Sequence, residues 1–207
     1  MLIGGYLPVS LCDWPGTVAA VVFTVGCDYR CPWCQNGGLL GTASADPPVP
    51  EAEVLGKLMT RRGKLGGVVV TGGEPTLQPD LADFCAKLKK FGFGVKLDTN
   101  GTRPGVVAEL FAAKLVDFVA MDIKAPWAKY PLLTGTTPAT CHVEDVKRTM
   151  ALIAASGLPH QFRTTKVDPL LAAADYAAIR AQIPAGSPCV TQPFIAANAL
   201  DPRLRPS

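Results

Sequence analysis

Six short runs rich in apolar and β-branched residues recur along the chain, separated by segments of helical period. This alternation constrains the fold more than any other feature. The runs are Val18–Val25, Gly67–Thr71, Phe93–Asp98, Phe118–Ile123, Gln161–Val167 and Cys189–Phe194. Ala19–Phe23 and Val68–Val70 are almost continuously hydrophobic, as strands covered on both faces are. Between the runs, Asp80–Phe91 carries Leu81, Phe84, Leu88 and Phe91 on one face. In Val143–Ser156 the residues Val143, Val146, Met150 and Ile153 recur at helical spacing, with Gly157 as a C-terminal cap. Ala172–Ile183 repeats the pattern through Ala172, Tyr176, Ile179 and Ile183, and Pro184 ends it. Strand and helix alternating in this way predict an α/β fold with a parallel sheet and right-handed crossovers. Six units are too few for a closed eight-stranded barrel. The expected architecture is an open, partial (β/α)6 barrel spanning 1–207 as a single domain. A flavodoxin-like doubly wound sheet is the alternative, and periodicity does not separate the two. In either, sites gather at the C-terminal ends of the strands.

Composition bounds the function classes. The chain has 207 residues, 48% of them hydrophobic, which suits one sizeable core rather than disorder. A net charge of +3 lacks the basic stripe of a nucleic-acid binder. Arg61, Arg62 and Lys64, like Lys87, Lys89 and Lys90, read as cations at the negative ends of helices. No run approaches the roughly 20 apolar residues that cross a bilayer, and Met1–Tyr6 lacks the charged and apolar regions of a signal peptide. A cytoplasmic protein with no membrane or nucleic-acid partner is expected. Its seven cysteines then read as thiols or metal ligands rather than disulfides. Gly37–Pro50 reads as a loop, and Asp201–Ser207 as a tail lying loosely on the surface.

Cys27-Asp-Tyr-Arg-Cys31-Pro-Trp-Cys34 follows the first predicted strand, where a site belongs in this architecture. Three thiolates so spaced can hold three corners of a cubane cluster and leave its fourth iron free for a substrate. Zinc wants four Cys or His ligands, while Cys12, Cys85, Cys141 and Cys189 are each isolated. Cys85 falls on the apolar side of a helix, and His142 and His160 lie near element boundaries, which suits structural roles. A thioredoxin-like reading of Cys31–Cys34 leaves Cys27 unexplained.

The CxxxCxxC loop, with Trp33 before the last cysteine, resembles the signature of the radical S-adenosylmethionine enzymes. Gly72-Gly73-Glu74-Pro75 follows the second strand, Asp98-Thr99-Asn100-Gly101 the third, and Met121-Asp122-Ile123-Lys124 closes the fourth. Ser10-Leu11-Cys12-Asp13-Trp14-Pro15-Gly16, Leu133-Thr134-Gly135 and Phe162-Arg163-Thr164-Thr165 resemble the activating enzymes of glycyl radical enzymes, in particular those of anaerobic ribonucleoside-triphosphate reductase. Two departures stand out. Cys34-Gln35-Asn36-Gly37 replaces the usual CHNP, and Ile195 stands where the formate-lyase activator carries a histidine. Gln35–Gly66 contains no cysteine, so a single cluster is expected.

The resemblance implies one [4Fe–4S] cluster on Cys27, Cys31 and Cys34, and S-adenosylmethionine as cofactor. It implies a cofactor pocket formed by Trp33, Gly72, Gly73, Glu74, Asp98, Asp122, Lys124 and Arg163. Glu74 is a partner for the cofactor's amino group and Lys124 for its carboxylate or ribose. Asp98 and Asp122 line the pocket together with a monovalent cation, or form a salt-bridge network with Lys96 and Lys124. Trp33 lies against adenine or packs in the core, and Asp13-Trp14-Pro15 shapes a partner surface or packs under the barrel. The implied partners are a glycyl radical enzyme and a low-potential electron donor such as flavodoxin or ferredoxin. A small-molecule enzyme similar to 7-carboxy-7-deazaguanine synthase is the runner-up, and a non-catalytic metal module the third reading.

Overall fold

The computed structural model describes residues 1–41 and 47–206. Seven strands form one sheet in chain order: β1 (Ile3–Ser10), β2 (Ala19–Thr24), β3 (Gly67–Gly72), β4 (Gly94–Thr99), β5 (Phe118–Asp122), β6 (His160–Lys166) and β7 (Cys189–Pro193). Strands β2 to β7 pair in parallel and correspond to the six predicted runs. Their sequential order rules out the doubly wound alternative, whose order reverses at a switch point. β1 and β7 form opposite edges, so the barrel is open between them. The crossovers carry α1 (Glu51–Met59), α2 (Leu81–Lys90), α3 (Pro104–Ala112), the short α4 (Tyr130–Thr134), α5 (Val143–Ala155) and α6 (Ala173–Gln182). After β7 come two 3-10 turns, Ala196–Asn198 and Pro202–Leu204.

The antiparallel edge strand β1 was not foreseen. Gly4, Gly5 and Pro8 dilute its strand signal. Its pairing with β2 is irregular between Ile3 and Gly5 and again between Leu7 and Ser10, around Pro8. Proline is tolerated in such places because an edge strand leaves some backbone N–H groups unpaired.

The strands divide their side chains between two faces. Ala20, Val22, Val68, Val70, Val95, Leu97, Val119, Met121 and Phe162 pack under the helices in the main core. Ala19, Val21 and Val69 face the lumen with Phe23, Phe118 and Trp14. The Trp14 indole caps the N-terminal end of the lumen. A Cβ on Gly67 would lie 2.5 Å from its ring and one on Gly94 3.1 Å, so both strands begin with glycine where the indole crosses them. Of the two roles open to Asp13-Trp14-Pro15, Trp14 takes the packing one.

Cys85 is fully buried in the core. His160 is fixed by Leu158 O and Ser187 Oγ. Lys87, Lys89 and Lys90 occupy the last turn of α2, where Lys87 pairs with Glu51 and Lys89 with Asp117. The tail differs from expectation. The Asp201 N–H donates to Pro32 O at 2.8 Å, a backbone hydrogen bond that ties the start of the tail to the cysteine loop, and the Arg205 side chain donates from Nε to Ala199 O at 2.8 Å. Residues 42–46 of the predicted loop, and Ser207, lie outside the described residues. Among the described residues no helix is long and apolar enough to cross a membrane.

Candidate active site

All eleven residues singled out from the sequence line one cavity of about 580 Å³ at the C-terminal ends of the strands. Each reaches it because its motif directly follows or ends a parallel strand. The cysteine loop leaves β2, Gly72–Glu74 leaves β3, Asp98 lies in the last two residues of β4, Asp122 ends β5 with Lys124 two residues on, and Arg163 rises from β6.

The cysteine loop is held by backbone from three directions. The Cys34 N–H bonds Cys31 O at 3.0 Å, closing the turn around Pro32. The Arg30 N–H bonds Thr134 O at 2.7 Å, and Gly135 packs so closely behind that a Cβ would lie 2.7 Å from Arg30 O. Leu133-Thr134-Gly135 is thus the buttress of the loop. Tyr29, almost fully buried, donates to Cys141 O at 2.7 Å and meets Tyr130 edge-on. Burial pushes the Cys27 thiol up to about 12 and the Cys31 thiol up to about 11. Metal binding here releases thiol protons. Trp33 is buried in the main core and also borders the cavity.

Glu74 is the keystone of the next layer. Its carboxylate is 1% exposed. It accepts from Thr76 N at 3.1 Å, Thr76 Oγ1 at 2.5 Å, Thr99 Oγ1 at 2.7 Å and Asn100 N at 2.6 Å. Burial pushes its pKa up to about 7, against the pull of those donors. The backbone of Gly73 and Glu74 in turn grips the strand end before the cysteines: Gly73 N–H to Thr24 O at 2.9 Å and Glu74 N–H to Gly26 O at 2.7 Å. Asn100 completes the circuit through its amide, which donates to Asp28 Oδ1 at 2.7 Å, with Cys27 Sγ 4.0 Å away. The second oxygen, Asp28 Oδ2, is buried without a partner among the described residues.

The lumen floor carries the ion network that competed with a cation site. Arg163 Nη1 donates to Asp98 Oδ2 at 2.8 Å and Arg163 Nε to Asp122 Oδ1 at 2.9 Å. Lys124 Nζ takes Asp122 Oδ2 at 2.9 Å, and Lys96 pairs with Asp98 Oδ1. Burial opposes ionisation of Asp122, yet Arg163 and Lys124 hold its carboxyl well below the usual carboxylate range. Burial likewise penalises the Lys124 ammonium, but Asp122 and Cys31 raise its pKa.

Sequence reasoning did not assign roles to Tyr29, Thr99, Tyr130 and Asn36. The Asn36 amide donates to Gly72 O at 2.9 Å. Thr99 and Asn100 sat inside a quoted motif, but their grip on Glu74 spans 25 and 26 residues and needs the strand order to be seen. The two departures from the activator pattern also meet: Gln35 Nε2 donates to Ile195 O at 3.2 Å.

The profile of the Radical SAM superfamily matches residues 21–169. The chain is 37% identical over 131 residues to a candidate glycyl-radical enzyme activating enzyme of Methanocaldococcus jannaschii, covering 62% of this chain and 52% of that one. It is 37% identical over 123 residues to a pyruvate formate-lyase-activating enzyme of Clostridium pasteurianum, covering 56% and 49%. It is 32% identical over 120 residues to a 7-carboxy-7-deazaguanine synthase of Neisseria meningitidis, covering 56% and 48%. The matches span about half the length of these relatives. Streptococcus suis SuiB bound to S-adenosylmethionine shares the fold, with a TM-score of 0.63 at 13% identity over 84% of this chain and 40% of that one.

The superfamily uses a [4Fe–4S] cluster and S-adenosylmethionine, and the donor set fits both. Among the described residues no three His, Cys, Asp or Glu side chains converge on a single ion. A tetrahedral zinc site requires such convergence, whereas a cubane takes each thiolate at a separate iron. With its three-cysteine loop over a charged, strand-end cavity and a profile match across most of its length, the chain belongs to the radical SAM superfamily.

Proposed function

We propose that this protein is an activating enzyme that generates a glycyl radical on a partner enzyme, with anaerobic ribonucleoside-triphosphate reductase as the expected partner. When bound, the cluster and S-adenosylmethionine supply a 5′-deoxyadenosyl radical. Cys27, Cys31 and Cys34 hold the cluster. Lys124 and Arg163 offer cations to the cofactor's carboxylate. Gly72 and Gly73 present backbone to its methionine part, and the buried Glu74 keeps that backbone in place through Thr99 and Asn100. Trp33 forms an apolar wall and limits water. The electron comes from a low-potential donor such as flavodoxin or ferredoxin.

The observation that carries the protein-substrate reading is the side of the cavity. Its wall includes Cys12 and Asp13, which follow β1, and Gln192, Pro193 and Ile195 from the β7 edge. The lining therefore reaches both edge strands, which do not pair with each other, so the sheet leaves the lumen unclosed on that side. Leu11, just after β1, is 78% exposed, and Ile195, just after β7 at the other end of the lumen, is 60% exposed. A sheet left unclosed between β1 and β7 admits a polypeptide loop bearing glycine. The likeness to two activating enzymes points the same way. The likeness to 7-carboxy-7-deazaguanine synthase supports a second reading, a small-molecule reaction in the same cavity.

Electron paramagnetic resonance separates the two. Mixing the reduced, reconstituted protein with S-adenosylmethionine and an anaerobic ribonucleotide reductase is expected to give a glycine-centred doublet on the reductase. Absence of the doublet with every glycyl radical enzyme tried, alongside turnover of a small molecule, would overturn the activating role.

A further inference from the structure

The resemblance brings a monovalent cation to Asp98 and Asp122, and the side chains around that pair do not fit one. All four carboxylate oxygens are already engaged by cations of the chain. Lys96 takes Asp98 Oδ1, and Arg163 Nη1 takes Asp98 Oδ2 at 2.8 Å. Arg163 Nε takes Asp122 Oδ1 at 2.9 Å, and Lys124 Nζ takes Asp122 Oδ2 at 2.9 Å. Three cations against two carboxylates leave these five groups with a net charge of +1, that is 3 − 2. An added cation would meet like charge at close range, and neither Asp98 nor Asp122 has an oxygen left without a partner to receive it.

Lys96 decides the matter. Arg163 and Lys124 border the cavity while paired with Asp98 and Asp122, whereas Lys96 is fully buried and approaches Asp98 from beneath. The Phe118 ring lies 5.8 Å from its ammonium. A buried ammonium is expensive without a partner, so its place in the lumen ties it to Asp98 permanently. We propose that Lys96 is a built-in counter-ion that takes the place of a recruited monovalent cation. The acidic pair is neutralised without Na⁺ or K⁺, and the surplus positive charge left over is available to the cofactor's carboxylate. The inference is independent of which substrate or partner the enzyme serves.

The test uses thallium-205 nuclear magnetic resonance on the full chain, with Tl⁺ as the probe for K⁺. It is paired with calorimetric titration of S-adenosylmethionine into the reconstituted protein in KCl, NaCl or choline chloride at equal ionic strength. Wild type is expected to show no saturable Tl⁺ site and less than a ~twofold change in cofactor affinity among the salts. Lys96→Met keeps an unbranched apolar stem and removes the charge, so it frees Asp98 Oδ1. It is expected to gain one saturable Tl⁺ site and to bind the cofactor about tenfold more weakly in choline than in K⁺, the effect of one lost charge-assisted contact. Saturable Tl⁺ binding in wild type, or a tenfold loss of its cofactor affinity in choline, would overturn the proposal. A folded Lys96→Met that gains neither property would also overturn it. If that variant does not fold, the wild-type titrations decide alone.

Discussion

A methyl group placed on Gly73 would stand 2.1 Å from the Gly26 carbonyl oxygen. The turn after β3 and the start of the cysteine loop are therefore pressed together at backbone level, and neither can move without the other. Glu74 N–H bonds that same oxygen at 2.7 Å. Gly73→Ala must push the two segments apart. Overpacking of this kind costs about 1–3 kcal/mol, and it displaces Cys27 in particular. The expected outcome is a lower melting temperature together with less iron per chain after anaerobic reconstitution. Full iron loading at an unchanged melting temperature would show that the contact does not matter.

Arg163 joins three strands through two carboxylates. Replacing it with Leu leaves Asp98 and Asp122 each short of a cation in a buried setting, a loss of about 3–5 kcal/mol. Arg163→Lys is expected to recover only part of this, because a single ammonium does not reproduce the two-pronged geometry of the guanidinium. Chemical denaturation of the three proteins reads the order directly. Equal stability of the Lys variant and wild type would contradict the bridging role.

Trp14 caps the far end of the lumen and meets Phe118 at 6.1 Å between ring centroids. Trp14→Ala should cost about 3–5 kcal/mol, since the glycines beneath it cannot fill the space. Cofactor cleavage per folded molecule should stay unchanged, because Trp14 does not border the cavity. A large loss of cleavage with little loss of stability would return this residue to the site.

Glu74 gives a pH signature. Its pKa in the folded chain is about 7, above its ordinary 4.5. The folded state thus holds this proton more tightly than the unfolded one. The associated stability is full below about pH 4.5, falls as pH rises and is gone above about pH 7, a change on the order of 3 kcal/mol. Denaturation of the cluster-free protein and of Glu74→Gln across this range checks the sign. Wild type should lose stability relative to the variant as pH rises. A difference that stays constant or moves the other way would refute burial as the dominant influence on this carboxyl.

The six parallel strands were legible because fully covered strands write long apolar runs, as in Val68–Val70. β1 was not, since an edge strand needs no such run and Gly4, Gly5 and Pro8 disguise it. The site residues were legible because charged side chains stand at the ends of apolar runs, where burial is costly and function is the usual reason. Their pairings were not. Arg163 bridging Asp98 and Asp122 depends on β4, β5 and β6 being neighbours, and the hold of Thr99 and Asn100 on Glu74 depends on β3 lying beside β4. The tail was misjudged for the same reason: its tie to Pro32 is a backbone hydrogen bond that composition does not record.

Cleavage of the cofactor tests the central claim most directly. The protein, reconstituted anaerobically with iron and sulfide and reduced with dithionite, is mixed with S-adenosylmethionine, and 5′-deoxyadenosine is measured by chromatography. Wild type is expected to release it, and Cys27→Ala, Cys31→Ala and Cys34→Ala to release none above background. A wild-type protein that carries an intact four-iron cluster yet forms no 5′-deoxyadenosine, or cysteine variants that form as much as wild type, would contradict the account.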